Sequence, residues 1–235
     1  MTLAIFDVDR TLLDGMSGAL FAQYLWRERF LTWYGRWTII KTMAGYRLGL
    51  LDDSAIVIAG VTCYQGYSSD DVAQMAKLAV TKLMVPRIYI EARKAIDFHL
   101  SAGRMVMLAS GSSIFVVNAL ADFLGVQIAV GTSGKIDANG ICLGEPKLPL
   151  CYQEGKLQLV QNAANKHDLK ISDAYLYSDN FEDLALFKKV KHATAVNPSI
   201  KLESTAKTMN LKIEHWNQPC DPSYRVTGTS WPIKS

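Results

Sequence analysis

Four apolar residues, Leu3 to Phe6, run unbroken into the polar cluster Asp7, Val8, Asp9, Arg10 and Thr11. So short a run without alternation reads as a buried strand of a parallel sheet, which places the chain in the α/β class. Ligands of open α/β sheets sit beyond the carboxyl ends of the strands, so the acids stand where a site would be. On an extended backbone Asp7 and Asp9 share one face. Two carboxylates that close need a cation or a shared proton. The same D-x-D-x-T residues could instead be a turn in which the aspartates only cap a helix, and the pattern alone leaves both readings open.

After Leu13 the pattern is helical for about seventy residues. Gly35, Gly45 and Gly49 offer breaks, Asp52, Asp53 and Ser54 are N-cap material, and Ser68, Ser69, Asp70 and Asp71 cap a fourth helix that ends near Val85, before Pro86. A small helical bundle inserted into a sheet domain is expected, with residues 14–85 as the bundle, 1–13 and 86–216 as the α/β core, and 217–235 as an irregular tail. Residues 17–48 hold Phe21, Tyr24, Trp26, Phe30, Trp33, Tyr34, Trp37 and Tyr46, and residues 20–50 carry five basic groups against Glu28, a net charge of +4. An aromatic stripe at helical spacing is expected to pack the bundle. Basic residues with interfacial rings are also what a membrane-surface helix uses, which leaves peripheral contact with anionic lipid as the other reading.

From Pro86 the α/β alternation resumes, with a helix over 87–102 ended by Gly103. A second buried strand over 104–109 ends in Ser110, Gly111, Ser112 and Ser113, ahead of a helix over 114–124. A serine hydroxyl and neighbouring N–H groups at a helix start can hold phosphate, although S-G-S-S is also an ordinary strand-to-helix turn. A strand over 126–130 follows, then a hairpin turning at Asn139-Gly140 with arms 131–136 and 141–144. Lys156 opens the next helix, which runs to about Leu169. A cation there opposes the helix dipole unless an anion compensates it, and otherwise it is a solvated lysine. Residues 173–177 form another strand, ending in Ser178, Asp179, Asn180, Phe181, Glu182 and Asp183. Asp179 and Asp183, four apart at a strand tip, suit a hard cation that wants oxygen ligands, while a helix-capping Asp179 and a solvent-facing Glu182 are the plainer reading. Residues 193–196 are expected as a strand, 199–210 as a helix and 212–215 as an edge strand.

Together these stretches resemble the haloacid dehalogenase superfamily: the D-x-D-x-T start, the serine ending the second strand, P-L-C-Y-Q-E-G-K at 149–156, and the acidic pair after the third strand. The phosphoserine phosphatase-like subfamily shares the helical cap after the first motif. The resemblance implies a Rossmann-like parallel sheet with that cap and a small β-hairpin, and a phosphatase acting on a small phosphorylated metabolite. It implies Asp7 as nucleophile and Asp9 as acid and base. Ser110, the Gly111 amide and Lys156 would hold phosphate oxygens, with Arg10 contacting phosphate through its backbone. Mg²⁺ would be held by Asp7, the Asp9 carbonyl and Asp179, with Asp183 in support. Residues 14–17 lack the glutamate that phosphoserine phosphatases present to the substrate amine. The aromatic, basic cap looks more like relatives acting on other phosphomonoesters, including phosphatidylglycerophosphate phosphatases. A noncatalytic receiver-like module also uses clustered aspartates, a hydroxyl and a lysine, but it has no large insert after its first strand.

Net charge of +3 and pI near 8.6 are too mild to argue for nucleic acid. Cys63, Cys142, Cys151 and Cys220 have no metal or disulfide spacing and are expected as buried free thiols. No apolar run reaches the roughly 18 residues of a membrane span. A cleavable leader would remove Asp7, so a cytoplasmic setting is expected.

Overall fold

The computed structural model describes residues 1–218. Residues 219–235 of the expected 217–235 tail, with Cys220, lie outside the described residues. Strands β1 (Leu3–Phe6), β2 (Met105–Ser113), β3 (Ile128–Thr132), β6 (Tyr175–Ser178), β7 (His192–Val196) and β8 (Lys212–Glu214) form one sheet in the order β3-β2-β1-β6-β7-β8. Every pairing in it is parallel. A separate antiparallel pair joins β4 (Gly134–Ile136) and β5 (Cys142–Pro146). β1 lies between β2 and β6, so chain connections leave it in both directions, the arrangement that opens a crevice at the strands' carboxyl ends.

Alternation along β1 decides what each face meets. Ala4 and Phe6 join Val106 and Leu108 in a core with α5 (Ile90–Ser101) and α6 (Ile114–Leu124). Leu3 and Ile5 join Met107 and Ala109 in a second core with α7 (Gln153–Asn165), α8 (Leu184–Phe187) and α9 (Ile200–Thr208). Asp7 follows in the register of Leu3 and Ile5 and therefore leaves the strand on the α7 side.

Between β1 and α5 lie α1 (Ser17–Arg27), α2 (Trp33–Arg47), α3 (Asp53–Thr62) and α4 (Ser69–Ala79). The expected caps are present: the Asp52 carboxylate accepts from Ala55 N at 3.3 Å and the Ser68 hydroxyl from Asp71 N at 3.1 Å. Cys142 exchanges backbone bonds with Gly66 and Tyr67, and Ser69 N donates to Gly140 O, so the β4–β5 hairpin is stitched to this helical segment. Cys63, Cys142 and Cys151 are buried free thiols, and burial pushes Cys63 and Cys151 up to about 12.

Several boundaries differ from expectation. Ser110–Ser113 extend β2 rather than ending it, because Ser113 pairs with Thr132 past a register shift. Gly131 and Thr132 are consequently sheet residues and not hairpin arm. The helix after Pro86 begins only at Ile90, following a short 3-10 turn over Val85–Arg87. α7 starts three residues before Lys156 and stops at Asn165, where Asp168 turns left-handed (φ 55°) and Leu169 N reaches back to Ala164 O.

The aromatic segment is only partly core. Phe21 and Tyr24 are buried, but Trp26, Trp33, Tyr34, Trp37 and Tyr46 are exposed, against the expectation that the stripe packs the bundle. Gly35 explains the orientation, since a Cβ there would lie 2.1 Å from the Cys63 carbonyl oxygen and only this side of α2 can approach α3.

His99, fully buried on α5, sits among Phe6, Tyr175 and Tyr177. Arg104 donates to its Nδ1 at 3.2 Å, so the ring proton is on Nε2, 3.0 Å from the Tyr177 hydroxyl. Burial first, and the Arg104 charge second, lower its pKa from 6.5 to about 4. The folded chain thus binds fewer protons here than the unfolded one, and this stabilisation is lost as pH falls from 6.5 towards 4. The loss reaches about 3 kcal/mol. Denaturant midpoints across that window should fall more steeply for the wild type than for His99→Gln, and identical slopes would dismiss the role of His99.

Candidate active site

The carboxyl ends of β1, β2 and β6 hold the polar residues, and α7 reaches in from one face. Asp7 is anchored by its own N–H to Tyr177 O at 2.9 Å, which fixes the tip of β1 against β6. Lys156 Nζ lies 2.7 Å from Asp7 Oδ1 and 2.7 Å from Asp183 Oδ2, with all three side chains buried. The solvated-lysine reading therefore fails. Burial alone would lower the lysine pKa, but the Asp183 and Asp7 carboxylates together outweigh it and raise it. Ser178 Oγ donates to the same Asp183 oxygen at 2.7 Å, so Asp183 serves as the rear support of Lys156.

Thr11 draws the first and third strand tips together. Its hydroxyl lies 3.2 Å from Asp7 Oδ2 and 3.4 Å from Asp179 Oδ1, and it accepts from Asp179 N at 2.9 Å. Arg10 Nε pairs with Asp179 Oδ2 at 3.2 Å from a largely exposed position. Its backbone is left-handed (φ 59°), turning the chain so that Arg10 N meets Gly15 O. Asn180, not Asp179, caps the following turn, and Glu182 is half-buried beside Gln153.

Asp9 lies on the other side of this group. Its Oδ1 accepts both the N–H and the hydroxyl of Ser17, and Ser110 Oγ approaches Oδ2 at 3.5 Å. Ser17 also contacts Ser112 at 2.6 Å, which links the start of α1 to the end of β2. Ser110 in turn accepts from Ser112 N. Gly111 is held from behind by Thr132 Oγ1, which donates to its carbonyl at 2.8 Å. Val57 of α3 covers it, since a Cβ on Gly111 would lie 3.3 Å from that side chain. All eight residues singled out in the sequence thus fall at one end of the sheet. Thr11, Ser17, Ser112, Ser178 and Thr132 carry no role in the sequence reading. Thr11 had a signal in D-x-D-x-T, Ser112 in S-G-S-S and Ser178 at the third strand tip, whereas Ser17 and Thr132 had none.

Burial pushes the Asp7 carboxyl up to about 8; Lys156 opposes this, while Asp183, Asp179 and Asp9 reinforce it. Burial likewise lifts Asp179 to about 6 against the pull of Arg10, and raises Asp9 against its two Ser17 bonds. Among the described residues no group of three or more acid, histidine or cysteine side chains takes metal-holding geometry. Lys156 and Arg10 engage the carboxylates that a metal would use. The donor set nonetheless fits a hard divalent cation. Asp7 and Asp179 turn oxygens to one threonine hydroxyl, and buried carboxylates short of positive charge are what such an ion neutralises.

A family model described as haloacid dehalogenase-like hydrolase matches residues 4–188. A histidinol-phosphatase of Neisseria meningitidis is 28% identical over 87% of this chain and 94% of its own length. A structure of a protein of unknown function from Bordetella pertussis superposes with a TM-score of 0.81 at 24% identity, covering 91% of this chain and 99% of that one. A phosphoserine phosphatase, solved as the analogue of its phospho-aspartyl intermediate, gives 0.62 at 17% identity, covering 93% and 94%. With its parallel sheet and the match spanning most of its length, the chain belongs to the haloacid dehalogenase-like hydrolases.

Proposed function

We propose that the protein is a Mg²⁺-dependent phosphomonoester hydrolase that works through an aspartyl phosphate on a small phosphorylated metabolite. The observation that carries this reading is the buried Lys156 at 2.7 Å from Asp7, with Asp9 and Ser110 beside them. An Asp7 oxygen attacks phosphorus, the bond to the substrate oxygen breaks, and Asp9 gives that oxygen its proton. Water then attacks the phosphorus with Asp9 taking a proton, releasing inorganic phosphate and restoring the Asp7 carboxylate. Ser110, the Gly111 amide and Lys156 hold the phosphate oxygens, and the left-handed Arg10 turns its backbone towards them. Asp7, the Asp9 carbonyl and Asp179 would hold Mg²⁺, whose charge lets an anionic nucleophile meet an anionic phosphate. Asp183 keeps Lys156 in place through the 2.7 Å contact.

Residues 14–85 act as a cap over the site, as the contact of Val57 with Gly111 suggests. The histidinol-phosphatase relative supports the phosphomonoester class. The absence of a glutamate at Asp14, Gly15, Met16 and Ser17 argues against phosphoserine itself. A second reading, a lipid-borne phosphomonoester of the phosphatidylglycerophosphate kind, draws on the exposed rings of α2.

Hydrolysis of p-nitrophenyl phosphate should require Mg²⁺ and stop in EDTA, and turnover undiminished by the chelator would refute the reading. Asp9→Asn should lower turnover about 10²–10⁴-fold, the range for a general acid–base group.

A further inference from the structure

A surface helix ordinarily turns its apolar stripe inward and its charges outward. α2 instead leaves much of its apolar surface outward, beside its charges. Of its fifteen residues only Gly35 and Thr42 are buried. Trp33, Trp37, Ile40 and Ala44 recur at helical spacing on the outward side, and Leu48 continues the stripe past the last turn. Trp33 is 78% exposed, Trp37 54%, Leu48 73% and Leu50 75%. The close approach of Gly35 to the Cys63 carbonyl fixes this orientation, so rotating α2 to hide the tryptophans would separate it from α3. Lys41 and Arg47 flank the stripe, and Arg36 lies over the Trp26 ring at 5.5 Å.

We infer that the outward face of α2, with Leu48 to Leu51, docks on the surface of an anionic lipid bilayer. Tryptophans set among basic side chains suit the boundary between headgroups and acyl chains. Charge selects this occupant over a second copy of the chain: residues 33–51 carry Arg36, Lys41 and Arg47 and no acid, a net +3 that Asp52 and Asp53, next in the chain, only partly offset, so two such faces would repel, whereas an anionic surface attracts them. No helix among the described residues is long and apolar enough to cross a membrane, so the contact is peripheral. The face is also placed to matter for the site. α3, packed on α2, covers Gly111 through Val57. The docking goes beyond the proposed reaction and does not require the substrate to be a lipid.

The test is cosedimentation of the full chain with vesicles of phosphatidylcholine alone or mixed with phosphatidylglycerol. Binding is expected to the mixed vesicles at low salt, weakening as salt rises, with little to phosphatidylcholine. Lys41→Gln/Arg47→Gln should weaken it about twenty-five-fold, a factor of about five for each lost cation. Trp33→Ser/Trp37→Ser should weaken it at least about tenfold and abolish a vesicle-induced blue shift of tryptophan emission. These side chains are exposed, so melting temperature and hydrolysis of a soluble phosphomonoester should not change. No binding to anionic vesicles at low salt, or binding untouched by the tryptophan variants, would overturn the inference. So would a concentration-dependent dimer that the tryptophan variants dissolve, since the occupant would then be a second copy. Vesicle binding with no phosphatase activity would defeat the proposed reaction and still support docking.

Discussion

Asp7→Asn should reduce phosphate release by a factor on the order of 10⁴ or more, because the variant lacks the oxygen nucleophile on which both half-reactions depend. The fold should not suffer with it. Burial raises the Asp7 carboxyl and so disfavours the ionised form, which only the Lys156 contact opposes, and a neutral amide meets no such penalty. An asparagine carbonyl in its place still accepts from Lys156, at the position where Asp7 Oδ1 lies 2.7 Å from Nζ. A melting temperature equal to or above the wild-type value, alongside lost turnover, would mark the role as chemical and not architectural. Wild-type enzyme quenched with labelled substrate should retain a phosphoryl group that hydroxylamine removes, and the variant should retain none. Activity within tenfold of the wild type would remove Asp7 from the mechanism.

The parts of this site legible in the sequence are those that local chemistry dictates. Leu3 to Phe6 can only be a strand wanting cover on both faces, and its register alone sends Asp7 towards α7. Asp179 and Asp183 stand out because two acids after an apolar run are costly without a cation. What stayed hidden depends on contacts between distant segments. Ser17 clamps Asp9 only because Arg10 (φ 59°) and Gly15 (φ 142°) turn the chain back, a path that no periodicity encodes. The extension of β2 through Ser113 needs Thr132 as partner, so the S-G-S-S stretch read as a turn from its own residues. The tryptophan stripe shows a further limit. Helical spacing identifies a face but not the direction it points, and here one glycine against the Cys63 carbonyl sends it outward.

Lys156→Met should be the most destabilising single change in the site. Lys156 is the cation that Asp7 and Asp183 share at 2.7 Å, and none of the three side chains is more than 9% exposed. Removing it leaves two buried carboxylates facing one another with little water to relieve them, a loss of about 3–5 kcal/mol. For a chain of this size that corresponds to a fall in melting temperature of about 10 °C. The cost lies in the uncompensated charges and not in the missing contacts. Lys156→Met combined with Asp7→Asn and Asp183→Asn should therefore recover most of the lost stability while remaining inactive. Lys156→Arg should not recover it, because a guanidinium demands a planar fork that a site built around a single Nζ does not offer. A Lys156→Met protein melting within 2 °C (~0.5–1 kcal/mol) of the wild type would mean that the carboxylates shed their charge without the lysine. Lys156 would then bind substrate but not hold the fold together.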